Sequence, residues 1–92
     1  MAQQEKQLTP AILPSFASIE TTPTNKAITV ISGQIVEISS LGEAVYGNWR
    51  QAAASTTFDF YVPADGTRNY EVPADITTLK ITSAGNVVAI VY

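Results

Sequence analysis

Residues 56–92 read TTFDFYVPADGTRNYEVPADITTLKITSAGNVVAIVY, and the fold is decided there. Four short runs rich in β-branched and aromatic residues, at 56–62, 68–72, 76–83 and 86–92, are separated by Pro, Asp, Gly and Asn. Runs of that kind between such residues are strands broken by turns. The punctuation itself repeats: Val-Pro-Ala-Asp occupies Val62–Asp65 and again Val72–Asp75. Val before Pro is pushed into the extended region. Pro then sets φ near about −65° and offers no N–H to a ladder, which suits the second position of a turn. Gly66, after the first copy, can take φ > 0 and close it. Each copy therefore reads as a place where a strand stops and the chain bends, not as half of a metal site.

Between the two copies lies a conflict. If 56–62 and 68–72 formed a hairpin with matched apolar faces, Phe60 would pair with Tyr70 and Phe58 with Val72. Asp59 would then stand opposite Glu71, which like charges disfavour. A cation between them, with Asp65 assisting, would make a metal-dependent adhesion domain. Calcium, however, takes 6–8 oxygens from a tight acidic loop, and the chain has no such loop. The expected resolution is that the chain crosses to a second sheet between these strands.

Outward toward the start, ITVISGQIVEISS (28–40) offers two more strands around Ser32-Gly33. A loop of Ser32-Gly33-Gln34 would pair Val30 with Val36, Ile28 with Ile38 and Thr29 with Glu37, separating apolar from polar; a hairpin is expected here. TTPTN (21–25) is a turn cluster. Residues 11–20 read as an irregular edge segment because of Pro14. Met1–Thr9 is a polar, aperiodic arm, and 10–92 forms one domain. Seven or eight short strands in that length indicate an all-β fold, an antiparallel β-sandwich or jelly roll.

The totals remove several functions. The 92 residues carry a net charge of −3, with five scattered basic residues and no basic patch, so nucleic-acid binding is not expected. No apolar run approaches a membrane span. With no Cys and no His, thiolate chemistry and the commonest general base are both missing. Most of the eight acids sit in turns or on alternating outer faces, and no nucleophile elbow, phosphate-cradling loop or zinc spacing occurs. No catalytic residue, metal or cofactor is expected, and the chain reads as non-enzymatic.

Two places could meet a partner. Tyr46, Trp49 and Arg50, in YGNWR, group aromatic rings with a cation outside a clear strand. Such a group can stack on a sugar or anchor a protein; equally, Trp49 can plug an open end of the sandwich with Arg50 outside. Asn48 can cap a short turn after it. The stronger signal is NVVAIVY. Val87, Ala89 and Val91 share one face, and Val88, Ile90 and Tyr92 share the other. A sandwich strand normally buries one face. The six residues Val87, Val88, Ala89, Ile90, Val91 and Tyr92 are therefore the expected oligomer interface.

The tail VPADITTLKITSAGNVVAIVY (72–92) resembles the closing strands of small bacteriophage capsid decoration or head-fibre proteins: a Thr/Ile-rich strand, a short Gly/Asn turn and an apolar last strand. The polar arm and the low charge, 14% of residues, are also similar. The resemblance implies a structural virion protein, assembled in the host cytoplasm. It would be a β-sandwich module, homotrimeric, docked on the major capsid protein or another virion protein. It brings no catalytic residues. A lectin-like carbohydrate-binding module using Tyr46, Trp49 and Arg50 is the alternative.

Overall fold

A computed structural model describes residues 13–92; the arm expected at Met1–Thr9 lies outside the described residues. These residues hold eight strands and no helix. They are β1 (Phe16–Glu20), β2 (Lys26–Thr29), β3 (Ile35–Leu41), β4 (Val45–Asn48), β5 (Phe60–Val62), β6 (Thr67–Glu71), β7 (Thr78–Ser83) and β8 (Asn86–Val91).

The pairing follows one rule. Strand β1 pairs with β8, β2 with β7, β3 with β6 and β4 with β5, all antiparallel. The chain thus behaves as one long doubled ribbon whose fold point lies between β4 and β5. Rolling the ribbon brings β8 beside β3 and β7 beside β4. Two four-stranded sheets result, ordered β1-β8-β3-β6 and β2-β7-β4-β5. This is the strand order of a jelly roll.

Alternation along the strands builds the core. Val36 and Ile38 on β3, Leu79 and Ile81 on β7, and Val87, Ala89 and Val91 on β8 point inward and are buried. Ile28, Val30, Val45, Val62, Val72 and Ile76 complete the cluster. At about 1.5–3 kcal/mol for each fully buried Val, Leu or Ile, this one layer between the sheets supplies most of the driving force for folding.

The expected β2–β3 hairpin does not form. Residues 31–34 do make a tight turn: Gln34 N–H donates to the Ile31 carbonyl at 3.0 Å, and Gly33 has φ 89°. The strands leaving it part company, β2 to β7 and β3 to β8 and β6. Val30 and Val36 face one core from two different sheets. Matching of apolar faces therefore carried no information on which strands are neighbours. The crossover between β5 and β6 occurs as expected, so Asp59, just before β5, and Glu71, on β6, do not face each other in a hairpin.

The two Val-Pro-Ala-Asp copies are one turn used twice, with a detail corrected. The Pro63 carbonyl accepts from Gly66 N–H at 3.0 Å, and the Pro73 carbonyl from Ile76 N–H at 3.3 Å. Proline thus stands first in the turn, not second. Positive φ falls on Asp65 (58°) and Asp75 (65°), not on Gly66. Asp tolerates the left-handed region better than most residues. Buried Val62 and Val72 pin the strand side of each turn. Ser40, buried on β3, ties down the first copy. Its hydroxyl donates to the Pro63 carbonyl and accepts from Gly66 N–H.

Candidate functional site

The last strand separates its two faces. Val87, Ala89 and Val91 are consumed by the chain's own core, each at most 1% exposed. Val88, Ile90 and Tyr92 turn outward and are half-buried. The six residues expected at an interface therefore do not make one surface; only the outward three can meet a partner.

Cross-strand register extends that outward face. Ile19 and Ser39 flank Val88, and Ala17 and Glu37 flank Ile90. Tyr92 lies beside Ile35, its N–H donating to the Ile35 carbonyl at 2.8 Å. The outer face of the first sheet is thus apolar on its β1–β8 half, through Ala17, Ile19, Val88, Ile90 and Tyr92, with Ile35 of β3 adjoining. It is polar on its β6 half, through Thr67, Asn69 and Glu71. Ile19 is 68% exposed. Exposed apolar surface rimmed by polar groups is of the kind that association sites use. The Tyr92 hydroxyl donates to Glu37 Oε1 at 3.2 Å. Partial burial and the neighbouring Glu37 carboxylate together raise the Tyr92 phenol above 10.0.

The second sheet presents a different outer face. Tyr46 and Tyr61 are directly paired across β4 and β5, with ring centroids 6.1 Å apart. Phe58 leans on both, at 5.3 Å from Tyr46 and 6.1 Å from Tyr61. Phe58 and Tyr61 are exposed. Trp49 does not join them. It packs against the core, its ring 5.5 Å from Phe60, and Arg50 is exposed. The split follows from the end of the strand: Tyr46 is on β4 facing outward, whereas Trp49 lies just past the end of β4 in the bend and turns toward Phe60. The pairing of Tyr46 with Phe58 and Tyr61 was hidden in the sequence because it depends on β4 and β5 being neighbours. Asn48 does cap the turn that follows, its side-chain oxygen accepting from Arg50 N–H at 2.9 Å and Gln51 N–H at 2.8 Å.

The acids do not converge. The Asp59 carboxylate accepts from Trp49 N–H at 2.9 Å, and Asp65 accepts from Gly42 N–H at 2.8 Å, so both hold turns. No group of three or more potential metal ligands occurs among the described residues.

The two flanks of the sandwich differ. On the β5–β6 side, Phe60 from one sheet stacks on Tyr70 from the other, centroids 3.9 Å apart, which seals the gap. On the β1–β2 side there is a groove of about 700 Å³, lined by Phe16, Ser18, Ala27, Ile28, Thr29 and Ile31 among others. The Glu20–Lys26 ion pair, at 3.9 Å, also lines it. Comparison with protein-family models, with curated proteins and with solved structures finds no match to this chain.

Proposed function

We propose that the chain is a non-enzymatic structural module that self-associates through the β1–β8 outer face. In this reading it is a bacteriophage capsid decoration or head-fibre protein, assembled as a trimer on a capsid shell. The observation that carries self-association is the outward row Ile19, Val88 and Ile90, apolar at the middle of a sheet face with no covering element among the described residues. The virion assignment rests on the likeness of residues 72–92 to that family and on the jelly-roll order, a frequent fold of capsid domains. Fold alone does not fix function, so the test is assembly. Sedimentation should give a multiple of 9.8 kDa. Ile19→Glu should return the mass to the monomer without unfolding the chain, since Ile19 is mostly exposed. A wild-type mass of 9.8 kDa at all concentrations would sink the reading.

A second reading has its own observation. The Tyr46–Phe58–Tyr61 group, two of its members exposed, offers ring faces with centroids within 6.1 Å of one another and two phenol hydroxyls, a size suited to one or two sugar rings. A lectin-like module would use this group, and titration with oligosaccharides should then perturb tyrosine fluorescence. Loss of that response in Tyr61→Ala, with the fold intact, is the expected control.

A further inference from the structure

We propose that Tyr46 and Tyr61 form an oxidative cross-linking site, at which hydrogen peroxide and a haem peroxidase join the two phenol rings into a dityrosine that staples β5 to β4. The site rests on neither of the readings given above.

The chain has four tyrosines, and two of them are placed together. Tyr46 and Tyr61 are direct cross-strand partners in the β4–β5 ladder. Such partners hold their Cβ atoms about 4.5–5.5 Å apart. Here the rings lie stacked, with centroids 6.1 Å apart and planes 21° from parallel. Tyr61 is 47% exposed and Tyr46 is half-buried, so an oxidant reaches the pair from the outer face of the second sheet. Phe58 packs on both rings, and without a hydroxyl it takes no part in phenol coupling. The other two tyrosines are held elsewhere. The Tyr70 ring stacks on Phe60 at 3.9 Å, and Phe60, next to Tyr61 along β5, points the opposite way. Tyr92 lies on the outer face of the first sheet with its hydroxyl on Glu37. Among the ring contacts of the described residues, Tyr46–Tyr61 is the one between two phenols.

The chemistry balances on this pair. Each phenol gives one electron and its hydroxyl proton to the oxidant. That leaves a phenoxyl radical whose unpaired electron is shared with the ring carbons ortho to oxygen, Cε1 and Cε2. One such carbon from each ring joins in a C–C bond. Each joined carbon then releases its hydrogen as a proton and each oxygen regains one, so both rings return to phenols. One hydrogen peroxide takes up the two electrons and two protons and becomes two waters, with the peroxidase passing the electrons. Because the rings are already neighbours, the radicals meet within one chain rather than by diffusion.

Position decides what the bond does. Strand β5 has three residues, the fewest of the described strands, and it forms an edge of its sheet. Three cross-strand pairs hold it to β4, and Tyr46–Tyr61 is the middle one. Elements with so few contacts are where local opening starts. The bond also closes a loop across the fold point of the ribbon. In the chain-entropy account, closing a loop of about 15 residues raises the melting temperature of a domain this size by about 12–24 °C, less any strain in the new bond.

Trypsin cuts after Lys and Arg, which puts Tyr46 in peptide 27–50, Tyr61 in 51–68, Tyr70 in 69–80 and Tyr92 in 81–92. Each tyrosine is thus read from its own peptide. Dilute full-length protein is treated with a haem peroxidase and limiting hydrogen peroxide. The species of single-chain length is recovered, melted, digested and measured by mass spectrometry. The expected product is lighter than the chain by two hydrogens, shows dityrosine fluorescence, melts above the untreated protein and yields 27–50 joined to 51–68 many-fold above any other pair. Tyr61→Phe, which keeps the ring, should lose the fluorescence and the joined peptide; Tyr70→Phe and Tyr92→Phe should keep both. Tyr61 and Tyr70 are closer along the chain than Tyr61 and Tyr46, so coupling set by sequence proximity would favour 51–68 joined to 69–80. That outcome, an even spread over the tyrosine pairs, or cross-links confined to species of two or more chains would overturn the site. A joined chain that melts no higher than the untreated one would overturn its role as a staple.

Discussion

Gly47→Ala is the sharpest test of the packing described above. Gly47 sits on β4, opposite Phe60 on β5. A Cβ built there would fall well inside van der Waals contact with Cζ, Cε1 and Cε2 of the Phe60 ring. The ring cannot step aside easily, because Tyr70 stacks on it at 3.9 Å and Trp49 leans on it at 5.5 Å. Overpacking costs about 1–3 kcal/mol, and a ring held by two aromatic neighbours puts the expectation at about 3 kcal/mol. In a domain of this size that lowers the melting temperature by about 12–24 °C. Phe60→Leu removes all three colliding atoms while keeping an apolar side chain. In that background the same Gly47→Ala change should be neutral or stabilising by about 0.5–1 kcal/mol, because alanine loses less backbone freedom than glycine in a strand. Urea melts followed by circular dichroism of the four proteins complete the cycle. Equal cost of Gly47→Ala with Phe60 and with Leu at that position would refute the account of the sealed flank.

Other outcomes follow from single contacts. Ser40→Ala strips a buried hydroxyl from the Pro63 carbonyl and from Gly66 N–H, and should cost about 1–3 kcal/mol in a urea melt. Asp75→Gly should raise stability by about 0.5 kcal/mol, relieving a left-handed residue at some cost in glycine entropy. Asp65→Gly, at the equivalent turn, should instead lower it by about 1 kcal/mol through loss of the bond from Gly42 N–H. The two variants should therefore melt on opposite sides of the wild type. Burial raises the Tyr70 phenol against the opposing pull of Arg68, and the Tyr92 phenol is raised as well. The folded chain thus holds these two protons more tightly than the unfolded one. That stability is fully present below about pH 10 and is lost as pH rises through the folded values. Tyr92→Phe should flatten part of this alkaline fall in melts taken between pH 9 and 12.

How much of this could be read from the chain follows from what each signal reports. Strand positions came from alternation and turn residues, and Phe60–Val62, Thr78–Ser83 and Asn86–Val91 fall where those signals put them. Strand order did not, and the 28–40 segment shows why. In a two-layer sandwich every strand turns its apolar face to one core, so Val30 and Val36 satisfy a hairpin and a corner equally well. The unfavourable meeting of Asp59 with Glu71 was more informative, because a repulsion excludes a pairing where a shared face cannot prove one. The candidate sites divide in the same way. The two faces of 86–92 were legible from period two alone. That Ile19 and Ala17 extend the outer face, and that Phe58 and Tyr61 rather than Trp49 accompany Tyr46, required knowing the neighbours.

The doubled-ribbon pairing also explains why one flank is sealed and the other open. At the fold point, β4 and β5 are joined by a connection whose ends are fastened: the Asp59 carboxylate accepts from Trp49 N–H, and Asp59 N–H donates to the Gly47 carbonyl at 2.8 Å. That holds Phe60 in place to bridge the sheets with Tyr70. At the ribbon's open end the described residues show no stacked ring pair; the Glu20–Lys26 ion pair and the bond from Gln34 Nε2–H to Ser15 Oγ at 3.2 Å link the two edges instead. Strands β1 and β2 are linked by a turn whose contacts run mainly to β7 and β8, through Asn25 N–H to Thr82 Oγ1 at 2.7 Å and Thr22 N–H to Asn86 Oδ1 at 3.2 Å. The turn fixes the far ends of the two edges and leaves the space between them to Phe16, Ile28 and Ile31. A ribbon rolled this way leaves exposed Phe16 and Ile31 on the open flank, beside the apolar half of the β1–β8 face. A partner seated there would cover the flank and the neighbouring face in one contact, whereas the aromatic group lies apart on the opposite sheet.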